Sequence, residues 1–183
     1  IGHNLGFGHS GQNGDPYGDQ SGMMGYSYNF DDAPKMCFNA QKNFQTGWYT
    51  NAQESFYPLE NVNTMVERTL IGIDDYQVSG NNNGNLVTLR FGDDQNDPSD
   101  AEGNDYYLGF NVRTGINSGT QEGINQVLLF QRTTGGPYSI NGQSDRIMDL
   151  DPGDSYTITS FKGTSYDITI HVKPYENNDR TAP

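Results

Sequence analysis

From about residue 62 onward, apolar side chains recur at every second position in short runs. "TMVERTLIGIDDY", "NLVTLRF", "DYYLGFNV", "NQVLLFQRT", "DRIMDL", "SYTITSF" and "SYDITIHVK" are rich in β-branched and aromatic residues. A period of two sends alternate side chains to one face of an extended strand. In the last run Ile168, Ile170 and Val172 share one face, and Asp167, Thr169 and His171 share the other. Turn-forming clusters separate the runs: "SGNNNGN" (79–85), "GDDQNDPSDAEGN" (92–104), "TGINSGTQEG" (114–123), "TTGGPYS" (133–139), "DPGDS" (151–155) and "KGTS" (162–165). Short strands joined by turns predict an antiparallel β-sandwich, jelly-roll or Ig-like, over 56–183.

Residues 1–55 are patterned differently. They are Gly-rich and irregular, except for "APKMCFNAQKNFQTGWY" (33–49), whose apolar positions are Met36, Phe38, Ala40, Phe44 and Trp48. Pro34 suits a first helical turn and Gly47 is a stop signal, so a helix is predicted over 35–46. "TNAQESFYPLE" (50–60), with Pro58 inside it, reads as a connection. The chain is therefore expected to be mainly β, with a first unit at 1–55 and a second at 56–183.

Composition sharpens this picture. Hydrophobic residues make up only 32%, yet there are 12 Tyr and 9 Phe, which suits an extracellular β protein better than a helical bundle. The net charge of -13 argues against nucleic acid and anionic membranes as partners, since both require a basic surface. No apolar run approaches the ~20 residues of a membrane span. Cys37 is the only cysteine, so no disulfide forms within the chain; it reads as a buried thiol or as half of a bridge to another segment. There is no initiator Met and the chain begins inside a motif. We read it as the C-terminal part of a longer precursor.

That motif is "IGHNLGFGHSG" (1–11), which holds two of the three histidines. On one continuous helix, residues six apart are rotated by about 240°, so His3 and His9 could not share an ion. Gly6 can end the helix in a left-handed conformation and Gly8 lets the chain turn back, which would bring the imidazoles together. The spacing alone is a weak signal, and by itself it reads as two exposed histidines in a Gly-rich loop. Context adds more. His3, Gly6 and His9 occupy the second half of the metzincin motif H-E-x-x-H-x-x-G-x-x-H, and "DQSGMMGYSY" supplies a Met-turn candidate with Met24-Gly25-Tyr26.

With "YGDQSGMMGYSY", "APKMCFNAQKNFQTGWY" and "YYLGFNVRTGIN" following in order, the chain resembles the gametolysin family of secreted metzincin proteases, densely over the first 50 residues and more loosely beyond. The resemblance implies a zinc endopeptidase acting on extracellular-matrix or cell-wall glycoproteins. It implies that His3 and His9 are the second and third metal ligands, that Met24 is a packed floor, and that Tyr26 coordinates zinc or hydrogen-bonds the tetrahedral intermediate. The first ligand and the general-base Glu would lie ahead of Ile1; Glu54, Glu60 and Glu67 sit in no motif that places them beside the metal. Some related algal enzymes carry Gln at the first position with a different metal preference, so copper is the alternative ion.

Other features have plainer readings. "DDQNDPSDAEGND" (93–105) carries Asp93, Asp94, Asp97, Asp100, Glu102 and Asp105 but lacks the register of a calcium loop, so it reads as a solvated acidic loop, with calcium as the alternative. His171 reads as a surface histidine. Exposed aromatic rings of the β part would suit sugar rings. The competing functional classes are a non-enzymatic β-sandwich module binding glycan or protein, and a metal-free structural domain.

Overall fold

A computed structural model describes residues 2–25, 35–92, 105–136 and 138–174. Among these residues the chain is mainly β, as expected. Eight strands are formed: β1 (Ser10–Gly11), β2 (Gln53–Phe56), β3 (Thr88–Phe91), β4 (Tyr106–Asn111), β5 (Gln126–Arg132), β6 (Ser144–Leu150), β7 (Ser155–Ile158) and β8 (Ile168–His171). One sheet has the order β1-β6-β5-β4-β3-β2, and β7-β8 form a separate hairpin. Among the described residues no helix is long and apolar enough to cross a membrane.

The runs "NLVTLRF", "DYYLGFNV", "NQVLLFQRT" and "DRIMDL" become β3 to β6, each antiparallel to the next. β5 lies at the centre, and Val127 to Phe130 are buried on both faces, so the strand is a continuous apolar run instead of an alternating one. The outer pairs differ from an antiparallel sandwich, because β1 runs parallel to β6 and β2 parallel to β3. Both outer strands come from residues 1–56, so the two sides of position 55 share one sheet.

Two layers cover that sheet. On one face Ala40 and Phe44 of an α-helix, α1 (Ala40–Thr46), pack on Tyr107, Leu128 and Phe130. On the other face Ile158, Phe161, Ile170 and Val172 of the hairpin region pack over Leu89, Leu108, Val127 and Leu129. The predicted alternation in β8 holds: Ile170 and Val172 are buried while Thr169 and His171 are exposed.

The helix starts five residues later than the pattern predicts. Asn39 takes an extended conformation and its side-chain oxygen accepts the Lys42 N–H at 3.0 Å, an N-cap that fixes the first turn there. Gly47 ends the helix in the left-handed region, as its position suggests. "TMVERTLIGIDDY" forms no ladder strand. Only an isolated bridge between Leu70 and Leu86 and a short 3-10 turn at Ile73–Asp75 occur there. Its apolar side chains do not share one buried face, since Met65 is 90% exposed whereas Leu70 is 4% exposed.

Candidate metal centre

The histidine-bearing segment is a helix end that reverses on itself. Gly2–Leu5 form a single 3-10 turn, closed by Gly6 N–H donating to His3 O (3.0 Å) and Phe7 N–H to Gly2 O (3.1 Å). Gly6 sits at φ +84°, a conformation that costs a residue with a Cβ about 1–2 kcal/mol. The reversal brings the His3 and His9 rings to 4.9 Å between centroids, with an interplanar angle of 72°. Phe7, between them in sequence, points inward onto Phe38 (4.5 Å) and towards Trp48 (6.3 Å).

Each imidazole is oriented by the protein. His3 Nδ1 donates to Phe7 O at 3.0 Å, which puts the free lone pair on Nε2. His9 Nε2 lies 2.8 Å from the Tyr17 hydroxyl, and the two rings stack at 4.1 Å. Partial burial, then His3, then Lys42 hold the His9 imidazole below its usual pKa, which favours the neutral form that a metal ion needs.

The main chain around His9 is fixed on both sides. Gly8 N–H donates to Ile140 O (3.1 Å) and Ser144 N–H to His9 O (3.2 Å). A side chain on Gly8 would lie 2.3 Å from Asn141 O, so the 140–142 loop can approach only a glycine there. Met24 is buried beneath the turn: its main-chain oxygen accepts from Ser10 N–H (2.9 Å), and a Cβ on Gly2 would meet its sulfur at 2.0 Å. Tyr26 lies outside the described residues.

Behind His9 runs a buried polar network. The Asp19 carboxylate is fully buried. It accepts from Ser10 Oγ (2.5 Å), from Ser21 N–H (3.0 Å) and the Ser21 hydroxyl, and from Asn39 Nδ2 (3.3 Å), and it faces Arg146 Nη1 at 3.5 Å. Asn39 Nδ2 also reaches Ser10 Oγ (2.6 Å) and Ser144 Oγ (3.0 Å). The N-cap of α1 therefore ties the strand after His9 to β6. Neither Asp19 nor this network carries a motif, and the sequence reading did not find it.

Among the described residues no group of three His, Cys, Asp or Glu side chains gathers at one point. Glu54 is bound by Arg68 through two contacts of 2.7 Å, and Glu67 by Lys173 at 2.5 Å. Cys37 is a free thiol, and burial pushes it up to about 12, the opposite of an activated nucleophile. His171 is exposed and pairs with Ser155 Oγ at 2.6 Å. The acidic segment divides. Residues 93–104 lie outside the described residues, while Asp105, read from sequence as part of a solvated or calcium-facing loop, is fully buried. It is held by Arg90 Nε (2.9 Å), Lys162 Nζ (2.9 Å) and Arg132 Nη2 (3.6 Å). The cause of this difference is that three cations from separate elements converge on it, which its sequence neighbours do not reveal.

The family model described as Gametolysin peptidase M11 matches the chain over residues 1–159. No curated protein and no solved structure matches it.

Proposed function

Because the chain belongs to the gametolysin peptidase family, we propose that His3 and His9 are two ligands of a catalytic zinc ion in a secreted endopeptidase that cleaves extracellular-matrix or cell-wall glycoproteins. The observation that carries this reading is the 4.9 Å approach of two imidazoles across a left-handed Gly6. Both rings suit an ion: His3 offers Nε2, and His9 is biased towards its neutral form. Copper is the alternative ion. When bound, the metal supplies an acidified water and polarises the scissile carbonyl.

The chain's own residues contribute position and surface. Met24 and the Asp19 network keep the two imidazoles at a fixed separation. Trp48 is 52% exposed beside Phe7 and Phe38 and offers an aromatic face to a substrate side chain or sugar ring. The motif register assigns the remaining ligand and the general-base Glu to positions ahead of Ile1. The 183-residue chain alone is therefore expected to show no proteolysis, while the protein that includes those positions hydrolyses peptide in a chelator-sensitive way.

In that longer protein, His9→Ala should remove chelator-sensitive hydrolysis and bound zinc together, as judged by a quenched peptide substrate and metal analysis. Undiminished turnover in the variant would refute the ligand assignment. Turnover by the 183-residue chain, abolished by a chelator, would refute the placement of the base.

A further inference from the structure

The hydrogen-bond partner of His9 Nε2 is a tyrosine that the metal motif does not contain. We propose that Tyr17 belongs to the metal site, its oxygen capping His9 Nε2 when no ion is bound and joining the ligand set when one is. The inference rests on the reading of His3 and His9 as ligands.

A dedicated turn delivers Tyr17 to this place. In "QNGDPY" (12–17), Gln12 and Asp15 exchange two main-chain hydrogen bonds of 3.0 Å. Asn13 and Gly14 between them adopt φ +54° and +82°, the two successive left-handed positions for which Asn-Gly is the preferred pair. Asp15 Oδ1 then accepts the Tyr17 N–H at 2.9 Å, and Pro16 between them fixes its own φ. Gln12 Oε1 accepts from Arg146 Nη2 at 2.7 Å, which anchors the turn to β6. The Tyr17 ring is 40% exposed, so it does not serve to fill the core. It stacks on His9 at 4.1 Å, with its oxygen 2.8 Å from the ligand nitrogen.

The chemistry follows from competition for one lone pair. A metal ion on His9 Nε2 takes the electron pair that the phenol O–H holds in its absence. The displaced oxygen is left beside the ion, in a site where no third His, Cys or carboxylate gathers among the described residues. On coordination the O–H bond breaks heterolytically, the proton leaves to solvent, and the oxygen pair forms the bond to the ion, with no change of oxidation state. Nitrogen and oxygen donors of this kind suit zinc and copper(II). The role differs from that implied for Tyr26 by the Met24-Gly25-Tyr26 spacing.

Copper(II) alone is the probe, because a coordinated phenolate gives a visible charge-transfer band and imidazoles do not. One equivalent added to the 183-residue chain is expected to produce the band. Tyr17→Phe, which keeps the stacked ring, should lose it while still binding copper about tenfold more weakly; Tyr26→Phe should keep it. Copper bound through His3 and His9 without the band, or a band that survives Tyr17→Phe, would overturn the role of Tyr17 and leave the two ligands standing. Copper binding unaffected by His3→Ala and His9→Ala would overturn the ligand reading, and the proposal with it.

Discussion

Asp105→Asn is expected to lower folding stability by about 3–5 kcal/mol, a large share of the roughly 5–15 kcal/mol of a typical domain. Arg90, Arg132 and Lys162 all direct nitrogen atoms at this one carboxylate, and Arg90 and Arg132 are each only 1% exposed. The substitution keeps the size of the side chain but removes the negative charge between three cations. In a low-dielectric setting the cations then repel one another with little screening. Arg90 keeps weaker contacts, to Ser55 Oγ at 3.3 Å, to the Tyr107 side chain, and over the Tyr138 ring at 6.0 Å. Urea denaturation of both proteins measures the loss. Adding Arg90→Met should recover part of it, because one of the stranded charges is gone. A loss below about 1 kcal/mol would mean that the carboxylate does not hold this end of the sheet together.

The second large effect is a pH dependence that originates in Lys42. This lysine lies on α1, is fully buried, and donates its ammonium hydrogen to the Gly142 carbonyl. Burial pushes its pKa down from 10.5 to about 7. Between those values the unfolded chain binds a proton that the folded chain does not, so stability rises with pH across the window and is lost as pH falls through 7. At about 1.36 kcal/mol per unit, the rise amounts to roughly 5 kcal/mol. Lys42→Met should flatten the profile between pH 7 and 10 and should be the more stable protein at pH 6. Parallel stability profiles for the two proteins would refute this. The charge also bears on the site, because protonated Lys42 is one of the groups that disfavour a charged His9.

What the sequence disclosed depended on whether the relevant physics was local. The His3–His9 reversal was legible because a single glycine at a fixed offset is enough to produce it. β3 to β6 and β8 were legible because burial on one or both faces leaves an apolar signature. β1 and β2 were hidden because both are outer strands; "QESF" pairs with β3 through main-chain atoms, and all four of its side chains remain half-buried. Asp105 and Lys42 were hidden for the opposite reason. A charged residue inside a polar stretch looks solvated, and only distant elements supply the cations around the first and the cover over the second. The turn that presents Tyr17 went unread, and nothing in the sequence said that Tyr17 faces His9.

The central claim is that one ion is shared by His3 and His9, and the imidazole nitrogens report it directly. We would titrate zinc into the 15N-labelled chain and follow the side-chain nitrogens of all three histidines, His171 serving as an internal control on the exposed face of β8. The account predicts that the Nε2 resonances of His3 and His9 move together in one saturating event, with His171 unchanged. Independent shifts of His3 and His9, or a response of His171 equal to theirs, would contradict it.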